Sequence, residues 1–215
     1  MAYPDLTLPQ LTERFGLEVR RQANLVRDLP PVPISDWLKE SLRRMGPAAL
    51  DVNTEKARSE FLIAPMLAEV REQLDETVSL FSGIDLNVDS ERGLRGVCDF
   101  VIGLTPQQLI LEAPLAVVVE AKNENIPRGV VQCLAELVAM REFNQAAGKP
   151  LNPLLGAVSN GNLWKFIRLA GDTAIVDLDE YYLVEVDRIV GIMVALLRAG
   201  QADLAARSRN PAAAR

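Results

Sequence analysis

The chain contains no histidine. That absence removes Ser-His-Asp and Cys-His nucleophilic catalysis and every imidazole-ligated metal. Acid–base work must fall to Asp, Glu, Lys, Tyr or water, and any bound metal must be an oxygen-preferring ion such as Mg²⁺. Cysteine is scarce as well. Cys98 and Cys133 both sit inside apolar runs, and no CxxC pair exists. They read as small reduced core residues, not as a disulfide or a zinc site. Basic residues are in the minority: 23 Lys and Arg against 29 Asp and Glu leave a net charge of −6. That balance argues against a strongly basic nucleic-acid binder, although a local basic surface can still hold phosphate. No stretch reaches the roughly 18 consecutive apolar residues of a membrane span. The opening Met-Ala-Tyr-Pro-Asp-Leu lacks the basic-then-apolar pattern of a signal peptide. The expectation is a cytoplasmic protein without membrane association.

What is present is a globular composition. With 215 residues, about half of them apolar, the chain can bury the core of one α/β domain with decorations. Residues 1–50 read as an N-terminal helical arm, with a short helix over Leu8–Leu17 and helix forbidden around Pro30, Pro31 and Pro33. Ser35 or Asp36 can cap a helix through Trp37, Leu38 and Leu42 that Gly46-Pro47 should end. Asn53 or Thr54 then caps TEKARSEFLIAPMLAEVREQL, which Pro65 should kink or split. Leu62, Met66 and Val70 give that helix a core-facing stripe.

Two strand-like runs follow, Thr77–Val88 and Leu94–Gly103, joined by the turn-rich Asp89–Gly93 as an antiparallel hairpin. LAVVVEAK, Leu115–Lys122, has the continuous apolar centre of a strand buried on both faces. A helix is expected over Pro127–Ala147, then strands Leu154–Ser159 and Leu163–Leu169 around the Asn160-Gly161 turn. Ala174–Leu178 suggests an edge strand and Val186–Leu197 a closing helix. Residues 201–215 read as a flexible tail. The 51–200 stretch is thus an α/β domain, a mixed sheet with helices on its faces.

The chemistry lies in three segments. Asp99, in GVCDFVIG, puts a carboxylate in a largely buried strand, where it must be paired, metal-bound or turned to solvent. Glu120 and Lys122 end the next strand two residues apart, so their side chains leave from one face. A carboxylate there can hold a divalent cation, and a lysine beside it can orient a water. The plain alternative is a same-face ion pair of small worth. In the following helix Gln132 and Glu136 are i, i+4 neighbours among apolar residues. An amide in such a helix needs a specific partner. Arg128 stands just past the strand end, as a phosphate contact or a solvated first-turn residue. Trp164, Phe166 and the pair Tyr181-Tyr182 favour core packing over base stacking.

Asp99, then Glu120-Ala121-Lys122, then Gln132, together with a glutamate-bearing helix before the first strand, resemble the PD-(D/E)XK nuclease superfamily. SNGNLWKFIRL looks like the "G-x-x-W-x-F" strand pair of type I restriction-subunit-like nuclease domains. The resemblance covers about residues 54–170. The chain is also similar to an uncharacterised cyanobacterial-type family carrying TEKARSEF, GVCDF and VEAKNEN, which brings no activity with it. The resemblance implies a restriction-endonuclease-like core in αβββαβ order. It implies Mg²⁺ (or Mn²⁺) on Asp99, Glu120 and the backbone carbonyl of Ala121, with Lys122 positioning the attacking water. Gln132 would brace the lysine or the phosphate. For the helix carboxylate Glu60 is favoured, as nearer the apolar stripe, with Glu55 close behind; at 100° per residue the two lie about 140° apart, so they cannot both face the site. The family's proline before the aspartate is absent, and Cys98 stands there. The implied activity is hydrolysis of DNA phosphodiester bonds by an endonuclease, with a homodimer as its usual form. The competing expectations are a nuclease-fold protein without activity that serves as a binding or regulatory module, which the acidic net charge favours, and a defence component regulated by a partner at the N-terminal arm.

Overall fold

The computed structural model describes residues 2–123 and 125–209. It is an α/β fold whose eight-stranded mixed sheet is flanked by helices. The strands are β1 (Glu18–Gln22), β2 (Ser79–Asp85), β3 (Val97–Gly103), β4 (Leu115–Ala121), β5 (Leu154–Ser159), β6 (Leu163–Ala170), β7 (Thr173–Asp177) and the short β8 (Tyr181–Tyr182). Their order across the sheet is β1-β7-β6-β5-β4-β3-β2, with β8 also pairing with β6. The β4–β5 and β1–β7 pairs are parallel, and the others are antiparallel.

The strand β4 lies inside the sheet between β5 and β3, and every one of its residues is buried. Its LAVVVEA sequence suits a strand covered on both faces. On one face packs α5 (Ile126–Ala146), the crossover that makes β4 and β5 parallel. Contact is close because β5 offers a glycine: a Cβ on Gly156 would lie 2.6 Å from Cys133 Sγ and 2.8 Å from Leu137 Cδ1. At its far end α5 is pinned to the start of β4 by Asn144. Its amide donates to the Leu115 carbonyl at 2.8 Å and accepts from the Leu115 N–H at 2.7 Å. The other face is covered by α6 (Val186–Arg209), through the buried Ile189, Val190, Met193 and Leu197 among others.

The N-terminal stretch is built into this body and is more than an arm. After a 3-10 turn at Tyr3–Asp5 and α1 (Leu8–Phe15), β1 joins the sheet edge in parallel with β7. Tyr3, Leu11, Leu17 and Leu38 are fully buried in the common core. The helix capped by Ser35, α2, runs over Asp36–Val52 and passes straight through Gly46-Pro47. The stop signal is overridden because Gly46 is buried, its Cβ position 3.7 Å from Leu62, and Ala49 beyond the proline is fully buried. The helix ends instead at Asn53, in a left-handed conformation (φ 53°).

Thr54 caps α3 (Glu55–Arg58), accepting from the Ala57 N–H at 3.1 Å. A π-helical turn, Ser59–Ile63, links α3 to α4 (Ala64–Glu72). The expected break at Pro65 therefore takes the form of a widened turn just ahead of the proline, which itself sits at the start of α4. The tail expected from residue 201 is corrected as well: α6 continues to Arg209, and its last turns hold an Arg207–Asp203 pair four residues apart. Residues 210–215 lie outside the described residues. By length and composition α6 with its preceding turn, Leu183–Arg209, is apolar enough to cross a membrane, but its apolar side is the one buried against the sheet.

The Asn160-Gly161 turn connects β5 and β6 and is packed under the π-helical turn. Gly161 has φ +82°, and a Cβ there would lie 2.7 Å from Leu62 Cδ1. Gly171, in the β6–β7 turn, also has positive φ (+58°) but open space around it. Gly161→Ala should therefore destabilise the protein by about 2–4 kcal/mol, from backbone strain plus overpacking, and Gly171→Ala by about 1 kcal/mol from strain alone. Urea unfolding of the two variants checks this; equal costs would contradict the packing of the turn on Leu62.

Candidate active site

Asp99 lies on β3 and Glu120 on β4. The antiparallel register pairs Phe100 with Val119, so one step further Asp99 stands across from Glu120, on the same face. Asp99 is half-buried and its Oδ2 accepts the Ala121 N–H at 2.8 Å. That bond ties the aspartate to the end of β4. Glu120 is only 1 % exposed, enclosed between the sheet and α5. Lys122 leaves from the same face, and its ammonium lies against Glu120 Oε1. The Lys122 N–H donates to the Ser159 carbonyl at 2.8 Å, which fixes the strand end to β5.

Gly129 in the first turn of α5 allows this closeness. A Cβ there would lie 2.8 Å from Lys122 Cγ and 2.7 Å from Val158 Cγ1. One helical turn deeper, Gln132 donates to Glu136 Oε1 at 3.0 Å. The amide therefore braces a carboxyl, where the sequence led us to expect it on the lysine or the phosphate. Glu136 is fully buried, near enough to Glu120 for each carboxyl to act on the other's titration. Neither Glu120 oxygen, nor Glu136 Oε2, receives a well-formed hydrogen bond.

These charges set one another's titration. Burial, and then the Asp99 carboxylate, push Glu120 up to about 7 against the pull of Lys122. Burial and then Glu120 hold Glu136 well above the ordinary carboxyl range. Burial works against the charge on Lys122, but Glu120, then Glu55 and Asp99, keep its pKa above the usual lysine value. The site thus holds three carboxyls around one ammonium. Without a further cation it cannot easily carry all three as carboxylates.

Above this cluster opens a polar cleft of about 440 Å³, lined by Pro4, Glu55, Lys122, Asn123, Arg128 and Gln132 among others. Of the two candidate helix carboxylates, the cleft takes Glu55. Glu60, expected at the site, is instead exposed, pairs with Lys56 at 2.6 Å and does not line the cleft. Arg128 is exposed at the cleft, in the first turn of α5 capped by Asn125. Trp164, Phe166 and Tyr181 are buried in the core, but Tyr182, expected there with Tyr181, is exposed, since adjacent strand residues face opposite ways. Glu136 is the participant missed as a site residue. Its signal in the sequence is a glutamate embedded in CLAELVAM, where nothing but a polar partner makes it tolerable.

The donor set suits an oxygen-loving cation. Among the described residues no three Asp, Glu or Cys side chains form a ready cage. Asp99 and Glu120, with the Ala121 carbonyl, would have to share the ion with water. That is the habit of Mg²⁺, which keeps several waters and takes one or two carboxylates.

In metal-free buffer the raised carboxyls predict a pH dependence. The folded state keeps protons that an unfolded carboxyl releases near its ordinary value of 4.5. Stability present below that pH is therefore lost as pH rises through about 7. Glu136→Gln, which stays neutral, should gain on the wild type by about 1–3 kcal/mol between pH 5 and pH 8 in urea unfolding with EDTA present. A difference that does not change with pH would contradict the coupled carboxyls.

No protein-family model, curated protein or solved structure matches this chain, so the site is interpreted from its own geometry.

Proposed function

We propose that the protein is a metal-dependent nuclease that hydrolyses phosphodiester bonds of DNA, on a restriction-endonuclease-like core. The observation that carries this is the buried carboxylate of Glu120, whose oxygens lack well-formed hydrogen bonds, set beside Asp99 and beside Lys122, which lines an open cleft. The succession α4, β2, β3, β4, α5, β5 supports the core assignment. It is a three-strand antiparallel meander followed by a helical crossover to a parallel fourth strand.

Asp99, Glu120 and the Ala121 carbonyl would hold Mg²⁺ or Mn²⁺, with Glu136 behind Glu120 to take up or give its proton as the ion comes and goes. A metal there supplies charge neutralisation at the scissile phosphate and a more acidic water. Lys122, oriented by Glu120 and by its backbone bond to Ser159, positions the attacking water for in-line displacement. Gln132 fixes the rotamer of Glu136. Arg128 and the positive end of α5 face the cleft and favour a phosphate at its mouth. Glu55 borders the same cleft and adds to the field that keeps Lys122 charged.

The net charge of −6 favours a second reading, in which the fold is kept as a binding module without turnover. One assay separates the two. Supercoiled plasmid and single-stranded DNA are incubated with wild type and Lys122→Ala, each with Mg²⁺, Mn²⁺ or EDTA. Cleavage should need the metal and fall about 10²–10⁴-fold in the variant. Equal products from both proteins, or none from wild type with metal, would contradict the nuclease and leave the binding module.

A further inference from the structure

A second cavity lies on the opposite face of the sheet, at the other end of β4 and β5. Its volume is about 220 Å³, and its walls include Val117, Leu151, Leu155, Leu196 and Leu197. Val117 and Glu120 project to opposite faces of β4 and are separated by roughly 10 Å along the strand. The cavity is therefore distinct from the cleft above Lys122. It owes its existence to α6. Leu196, Ala199, Gly200 and Asp203 are spaced i, i+3, i+4, i+7 along the flank of α6, beside the side that covers the sheet, and Ala199 is exposed. The small residues Ala199 and Gly200 leave the cavity mouth open.

Into this apolar space β6 sends Arg168. The register pairs Arg168 with Leu155 and with Ile175, so it shares a face with Val117 and Leu155. Its Nε is buried without an acceptor, and among the described residues its guanidinium makes no ion pair. The acidic residue in the lining, Asp203, lies 2.8 Å from Arg207, and its Oδ2 is likewise buried without a well-formed hydrogen bond. Other arginines anchored in the fold, Arg58 and Arg141 for instance, have oxygen partners at 2.6–2.7 Å. A guanidinium nitrogen buried without an acceptor at the wall of an apolar cavity is costly unless an anion meets it, whereas the other two nitrogens of this half-buried side chain are not buried without a partner.

We propose that this cavity binds a small organic monocarboxylate with a short apolar body. The guanidinium fork matches a carboxylate in the bidentate manner. The leucine walls would take a hydrocarbon chain of about six carbons. The Asp203 carboxylate in the lining repels any anion, and a phosphate dianion about twice as strongly as a monocarboxylate, which favours the single charge. Nothing in this depends on the nuclease reading.

The test is calorimetry on the full chain with sodium hexanoate, 1-hexanol and hexyl phosphate as probes. Hexanoate should bind the wild type with a Kd of about 1 mM or below. Arg168→Met, which keeps the packed stem and drops the charge, should weaken hexanoate at least tenfold and leave hexanol unchanged. Ala199→Phe, at a partly solvent-facing position of α6 at the cavity mouth, should abolish binding of both without loss of the thermal transition. Hexanoate that binds Arg168→Met as well as wild type, no saturable binding to wild type, or tighter binding of hexyl phosphate than of hexanoate would each overturn the proposal.

Discussion

The site depends on a carboxylate that the fold will not let into water. Glu120 is held at the end of a strand buried on both sides, and every neighbouring feature can be understood as a response to its charge. Lys122 lies on one of its oxygens. After burial, the charge of Glu120 helps to hold Glu136, on the helix above, over the ordinary carboxyl range, and Gln132 donates to Glu136 Oε1. Two glycines let that helix come down. Gly156 admits Cys133 and Leu137, and Gly129 admits the lysine stem. A larger residue at either place would lift α5 and open the cluster to solvent, where carboxyls keep ordinary pKa values and bind cations weakly.

Segments far apart in sequence are tied together beside the cleft, which Glu55, Asn123 and Pro4 line. Asn123, just after β4, donates to the Asn53 carbonyl at 2.8 Å. Arg58 donates to the Asn53 side chain at 2.9 Å and to the Asn160 carbonyl at 2.7 Å. Thus the TEKARSEF helix, the Asn-Gly turn and the stretch after the Glu-x-Lys strand form one hydrogen-bonded rim. Pro4 completes it, carried there by Tyr3, whose buried phenol donates to the Leu86 carbonyl and whose ring lies where Gly96 has no side chain. The N-terminal segment is part of the cleft wall, which is why its burial extends to its first turns.

Much of this was legible in the sequence, and the failures have physical causes. Strands with strong apolar centres and turn signals, such as LAVVVEA and the Asn-Gly hairpin, declare themselves through local chemistry. The convergence of Asp99, Glu120 and Lys122 follows from strand periodicity and one register. Helix ends were harder. Gly46-Pro47 reads as a stop, but tertiary packing of Gly46 and Ala49 carries the helix past it. The choice between Glu55 and Glu60 rested on 100° per residue, and the π-helical turn at Ser59–Ile63 breaks that arithmetic between them. The strand β1 is almost wholly exposed and polar, so nothing in its EVRRQ pattern announces a partner 155 residues away at Thr173. Glu136 was seen as a neighbour of Gln132, but its pairing with Glu120 needs the crossover geometry of α5.

The central claim is that Asp99 and Glu120 together form a cation site. Crystals soaked in Mn²⁺ and measured near the manganese absorption edge test it most directly. The account predicts an anomalous peak between the two carboxylates and the Ala121 carbonyl, with the Lys122 ammonium drawn off Glu120. A Glu120–Lys122 contact left intact at saturating Mn²⁺, with no peak beside it, would contradict it.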